Sequence, residues 1–94
     1  MTKIQLKSKY EEWNKDITEL ENRQKKIFEM LQNLNEKHGN GCKYCSVTEN
    51  VLSIIRLSPE NAYFAIGLKG EYDEITGKME ALRDLAIATN NFDI

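Results

Sequence analysis

The sequence predicts an all-α protein in which one long helix and two return helices form a hairpin. Two long stretches repeat apolar side chains at alternating spacings of three and four residues, which is typical of helices packed along one another. The chain of 94 residues contains one proline and five glycines, too few for a loop-rich or all-β fold. We therefore expect a single helical domain over residues 1–94, an antiparallel hairpin or coiled coil that forms a dimeric helical bundle.

The first helix is predicted over residues 3–38, with Thr2 and Gln5 at the spacing of a capping box. Its seam has ten positions, eight of them apolar or aromatic: Leu6, Tyr10, Trp13, Ile17, Leu20, Gln24, Ile27, Leu31, Leu34 and His38. Such a helix is about 54 Å long, whereas a compact domain of this size has a radius of gyration of about 13 Å. The seam must therefore be covered by the rest of the chain, by a second copy, or by both. The amide of Gln24 either fixes the register or is tolerated where the seam bends away.

A turn is predicted over residues 39–45 and a second helix over residues 47–57. Gly39 suits the residue after a helix end. Ser46 and Glu49 then form another capping box. Apolar residues cover much of this second helix, which we expect to be the most buried element: Val47, Val51, Leu52, Ile54, Ile55 and Leu57.

A third helix is predicted over residues 59–89, with Ser58 as N-cap and Pro59 at the first helical position. Its seam comprises Ala65, Leu68, Tyr72, Ile75, Met79, Leu82 and Ala86. Three glycines lie outside this seam, so a break near Gly70 into helices 59–68 and 71–89 is an alternative. The residues predicted to carry the packing are Trp13, Ile17, Leu20, Ile27, Leu31, Ile54, Ile75, Met79 and Leu82.

Charge and hydropathy narrow the classes of partner. The formal net charge is −2 and the two signs are interspersed, which is typical of a solvated helical surface rather than a nucleic-acid interface. Lys3, Lys7 and Lys9 leave nucleic-acid association as a weaker hypothesis. The apolar runs are too short to span a membrane, and the first residues lack the apolar region of a signal peptide. We therefore expect a cytoplasmic protein that forms a homodimer and binds another protein through its helical faces.

The cluster His38-x3-Cys42-x2-Cys45 is the densest group of reactive side chains, and it lies at the predicted hairpin tip. Four interpretations compete. The cysteines are free packing thiols beside a capping histidine, or a zinc site in which His38, Cys42 and Cys45 are ligands. Alternatively they are a redox-active pair just before a helix N-terminus, or a structural disulfide.

In a symmetric variant of the zinc interpretation, Cys42 and Cys45 from two chains share one ion. That arrangement is similar to the zinc hook of the long coiled-coil ATPases of DNA repair. The similarity covers the motif and its place between two helices. Lys43 stands where the hook usually has proline, and the chain contains no ATPase segments.

Other catalytic chemistry is not indicated. A single histidine offers one possible base, and no phosphate-binding glycine loop occurs. The acidic residues Glu71, Asp73 and Glu74 are more typical of a solvated face than of a metal site. We therefore expect a non-enzymatic interaction, adaptor or regulatory protein without a catalytic site or organic cofactor. The alternative is a metal- or redox-responsive regulator with its sensor at the tip.

Overall fold

The computed structural model describes residues 2–92, with the side chains of residues 3–8, 10 and 89–92 outside the description. Helix α1 spans Lys3–His38, α2 spans Val47–Leu57, and α3 spans Ala62–Phe92. A short 3-10 turn over Pro59–Asn61 joins α2 to α3. The described residues form these helices and no strand, which confirms the predicted all-α class and the bounds of the first two helices.

Helix α1 sets the length of the molecule. The principal extents are 55 × 18 × 15 Å and the radius of gyration is 17.7 Å, compared with about 13 Å for a compact chain of this size. Helices α2 and α3 both pack against α1, because its apolar seam has no other element to cover it. The fold is therefore a rod with a three-helix half at the turn and a two-helix half beyond the reach of α2.

Contacts between α1 and α3 show that the two helices are antiparallel. The Arg23 guanidinium donates to both carboxylate oxygens of Glu71, at 2.8 and 3.1 Å. Arg83 donates to Glu21 at 2.9 Å, so a later residue on α3 meets an earlier residue on α1. Both pairs are exposed, so they contribute little stability and serve mainly to favour this register.

Gln24 points inward, as one of the two sequence interpretations held. Its Nε2 donates to the Tyr72 carbonyl at 3.0 Å and to Thr76 Oγ1 at 2.5 Å. The amide is partly buried between the helices. Its hydrogen bonds offset the cost of placing a polar group in an apolar seam, and they are satisfied only in this pairing of α1 with α3.

The core follows the predicted seams in the half nearest the turn. Ile27, Leu31 and Ile54 have no exposed surface. The second seam supplies further buried side chains from α3: Ala65, Leu68, Ile75 and Met79, with Ala86 also buried further from the turn. Trp13, Ile17, Leu20 and Leu82 were predicted to pack and are only half-buried. The predicted seam positions Leu6 and Tyr10 lie outside the described side chains.

Among the described residues α2 has the largest buried fraction of the three helices, as predicted, but part of its apolar surface is exposed. Val51 and Ile54 are buried, but Leu52 is 52% and Leu57 58% exposed. The reason is geometric: α2 lies against α1 and α3 on one side, and an 11-residue helix with apolar residues on much of its surface cannot bury the other side.

The start of α3 differs from the prediction. Ser58 ends α2 by donating its backbone N–H to the Ile54 carbonyl at 2.7 Å. Its hydroxyl accepts from the Asn61 amide at 2.6 Å rather than from a backbone N–H of α3, which begins only at Ala62. Helix α3 continues through Gly70 without a break, because the glycines lie outside its packed face and the buried seam holds the helix together.

Candidate functional site

The hairpin tip is built around two asparagines that the sequence analysis did not single out. Asn35 on α1 and Asn50 on α2 are both fully buried. The Asn35 amide donates to Asn50 Oδ1 at 2.7 Å. Asn50 in turn donates to the carbonyls of Cys45, at 3.3 Å, and Ser46, at 3.0 Å. The pair therefore joins α1 to the beginning of α2 inside the core.

Asn40 ties the turn to the same pair. Its backbone N–H donates to Asn35 Oδ1 at 3.1 Å and to Ser53 Oγ at 2.9 Å. Its own Oδ1 accepts from the Cys42 backbone N–H at 3.0 Å and from the Asn35 amide at 3.2 Å. Among the described residues, no buried side-chain nitrogen or oxygen lacks a partner. A fully satisfied polar network of this kind fixes one conformation of the turn.

Two glycines allow the turn to follow this path. Gly41 has φ of 68°, a left-handed conformation that favours glycine. A Cβ on Gly39 would overlap the Asn35 amide and lie 2.8 Å from Ser53 Oγ. Gly39 is thus required by close packing at the end of α1, and its backbone N–H still donates to the Asn35 carbonyl at 2.8 Å.

Cys42 and Cys45 are joined by a disulfide within this turn, with their Cα atoms 5.7 Å apart. Cys45 is buried, with 7% of its surface exposed, and Cys42 is half-buried. Between them Tyr44 is 97% exposed, and Lys43 is exposed as well. In this state neither sulfur is a thiolate, the form that binds a metal ion.

His38 is exposed at the end of α1. Its charge acts on Glu60, whose pKa is lowered mainly by its own backbone N–H, then by the Ser58 hydroxyl and more weakly by His38. Among the residues that the structure describes, no three His, Cys, Asp or Glu side chains are grouped to hold a metal ion. Zinc binding by His38, Cys42 and Cys45 in the reduced protein stays a prediction, which native mass spectrometry of reduced protein with and without a chelator would check.

Glu71, Asp73 and Glu74 on α3 each have a basic neighbour. Glu71 pairs with Arg23, whose hydrogen bond and charge lower the pKa of that carboxyl. Lys69 bonds Asp73 at 2.6 Å, and Lys78 lies 3.3 Å from Glu74. These exposed ion pairs are typical of a solvated helix face, as the sequence indicated. Of the lysines proposed for nucleic acid, Lys9 is exposed, while the side chains of Lys3 and Lys7 lie outside the description.

A second candidate site is an apolar cavity in the two-helix half, with a volume of about 520 Å³. It lies between α1 and α3 and is lined by Asp16, Glu19, Leu20, Lys78, Ala81 and Leu82. Leu85, 51% exposed, follows one turn further along the same side of α3. We call this surface the open groove. The sequence predicted Leu20 and Leu82 as packing residues, but it could not show that the seam between them would remain half-covered.

Comparison with known proteins gives no relative: no protein-family model, no curated protein and no solved structure matches the chain. Within the described part of the chain, no helix has both the length and the apolar content needed to cross a membrane.

Proposed function

We propose that this protein is a small cytoplasmic interaction protein, without catalytic activity, that works by pairing its helical surfaces with other helices. A second copy of the chain is the first such partner, and the resulting dimer presents the remaining helical faces to another protein. The open groove is the observation that carries this proposal.

The burial of the α1 seam residues decreases from the turn toward the two-helix half, as the proposal requires. Near the turn, where α2 covers the hairpin, Ile27 and Leu31 are fully buried. Beyond the reach of α2, Trp13, Ile17 and Leu20 on the same seam are half-buried. Two helices alone cannot enclose such a seam, whereas a third or fourth helix laid along them encloses it completely.

The charges of the open groove favour a second copy as the occupant. Asp16 and Glu19 lie on its α1 side and Lys78 on its α3 side. A two-fold axis brings the same patch of both chains together. Each Lys78 would then face the acidic side of the other chain, so the two surfaces are complementary without any further residue.

The exposed area of the chain is also sufficient for a dimer. The surface amounts to 6709 Å², whereas a compact monomer of this mass exposes about 5,600 Å². The excess, about 1,100 Å², is comparable to the roughly 800 Å² that each partner buries in a standard interface. A coiled-coil arrangement of the four long helices would bury surface of this order.

Sedimentation equilibrium over a range of protein concentrations tests the proposal. Leu85→Glu places a charge beside the open groove in both copies and should weaken the dimer about tenfold or more. Leu57→Glu is the matched control, because Leu57 has similar exposure, 58%, at the end of α2. It should leave the dimer intact.

A wild-type chain that stays monomeric at every concentration would refute the dimer. Equal weakening by both variants would place the interface elsewhere on the rod. Circular dichroism of each variant shows whether the helices remain, since both leucines are already half-exposed and neither change needs to disturb the core.

A further inference from the structure

The two cysteines of the tip are held in place by hydrogen bonds that do not depend on the disulfide. The Cys42 backbone N–H donates to Asn40 Oδ1, and the Cys45 carbonyl accepts from the Asn50 amide. Asn40 and Asn50 are both anchored to the Asn35 amide. Breaking the sulfur–sulfur bond therefore leaves the backbone of both cysteines attached to the buried network.

A structural disulfide would add little at this position. It spans a sequence separation of three residues, and the stabilisation that a disulfide gives through the unfolded chain is smallest for short loops. The turn that it closes is already ordered by the side chains of α1 and α2. We therefore expect the turn and the helices to remain when the bond opens.

The two cysteines differ in exposure and in their position relative to α2, so an attacking thiol would reach one sulfur more readily than the other. Cys42 is the more accessible residue, whereas Cys45 is 7% exposed. Cys45 directly precedes Ser46, the N-cap of α2, where unpaired backbone N–H groups stabilise a thiolate. A shallow cavity of about 240 Å³ beside it is lined by Asn40, Cys45, Glu49, Leu52, Ser53 and Arg56.

We propose that Cys42 and Cys45 form a reversible redox site that exchanges electrons with cellular thiols. A thiolate attacks Cys42 Sγ and forms a mixed disulfide, the bond to Cys45 breaks, and Cys45 leaves as a thiolate that takes a proton from water. A second thiolate then attacks the sulfur of the first thiol, and Cys42 leaves as a thiolate and is protonated. Two thiols are oxidised to one disulfide, and the protein disulfide is reduced to two thiols.

Equilibration with glutathione tests this site. The full chain is incubated at graded ratios of reduced to oxidised glutathione, quenched with acid, alkylated and weighed by mass spectrometry. We expect the disulfide and the doubly alkylated form to interconvert across these ratios, with the helical circular dichroism unchanged. A protein that stays oxidised in excess reduced glutathione, or reduced in excess oxidised glutathione, would overturn the proposal.

Single-cysteine variants test the assigned order of the sulfurs. Cys45→Ser should leave Cys42 to form a stable mixed disulfide with glutathione. Cys42→Ser should leave Cys45, whose reaction should be about tenfold slower or more because of its burial. Equal rates in the two variants would contradict Cys42 as the attacked sulfur.

A positioning variant tests whether the network holds the pair. Asn40→Ala frees the Cys42 backbone N–H and should shift the glutathione midpoint about tenfold toward the dithiol. Asn61→Ala is the control, because it removes the 2.6 Å hydrogen bond to Ser58 in the other turn. An unchanged midpoint in Asn40→Ala, or the same shift in both variants, would show that the network does not position the cysteines.

Discussion

Replacing Asn35 by alanine should be among the most damaging single changes at the hairpin tip. The side chain is fully buried, and its amide donates at 2.7 Å to Asn50 Oδ1, which is also fully buried. Its loss leaves that oxygen without its donor, at about 1–3 kcal/mol. The two hydrogen bonds to Asn40, at 3.1 and 3.2 Å, are lost as well. We expect the free energy of unfolding to fall by about 2–4 kcal/mol in total.

Urea denaturation followed by circular dichroism measures this loss. Asn33→Ala is the matched control, since it lies exposed on the same helix and gains the same helix propensity, no more than about 0.7 kcal/mol. The double variant Asn35→Ala/Asn50→Ala should cost about 1–2 kcal/mol less than the sum of the two single variants, because it removes both members of the buried pair. Costs that simply add, or a loss in Asn35→Ala no larger than in the control, would refute the buried network.

Three further predictions concern other parts of the rod. Gly77→Ala should raise the free energy of unfolding by up to about 1 kcal/mol, because a Cβ there meets open space in a helix. Gly39→Ala should lower the free energy of unfolding, because its Cβ would overlap Asn35. Equal effects of the two variants in thermal melts would contradict the packing at the turn. Leu31→Ala, at a fully buried position, should cost about 2–5 kcal/mol in urea denaturation, and Leu82→Ala clearly less because its site is half-covered; similar costs would mean that the groove is closed. The pKa of Glu71 is lowered from its ordinary 4.5 by the hydrogen bond and charge of its arginine partner, so the pair stabilises the fold above that pH and the contribution is lost as pH falls through the lowered value. Glu71→Gln should therefore show a shallower fall of the urea midpoint with acidification than the wild type, and parallel curves would count against the pair.

Local sequence signals predicted the helices well. Ser46 is the N-cap that the predicted capping box requires: Ser46 Oγ accepts from the Glu49 backbone N–H at 3.2 Å, and it donates to the Glu49 carboxylate at 3.1 Å. The alternating spacing of three and four placed Ile27, Leu31 and Ile75 in the core. These signals succeed because caps and amphipathic periodicity act within a few residues of the same helix.

The same kind of reasoning failed where several elements meet. In the sequence Asn35 and Asn50 look like ordinary polar helix residues. They are 15 residues apart, so no local pattern indicates the 2.7 Å hydrogen bond between them. The alternative of a break near Gly70 and the burial expected for Leu57 as part of α2 were judged from propensity and composition. Packing overrides the first and leaves the second exposed.

The sequence by itself therefore determined the three helices, the position of the turn and the cysteine pair within it, since each depends on neighbouring residues. The tertiary structure decided which faces are covered, which asparagines are buried, and that the cysteines are bonded within one tip. Those outcomes depend on side chains brought together from distant positions. The half-buried Leu20 and Leu82 show the difference most clearly: their spacing marks them as apolar seam residues, but only the shortness of α2 leaves the groove between them open.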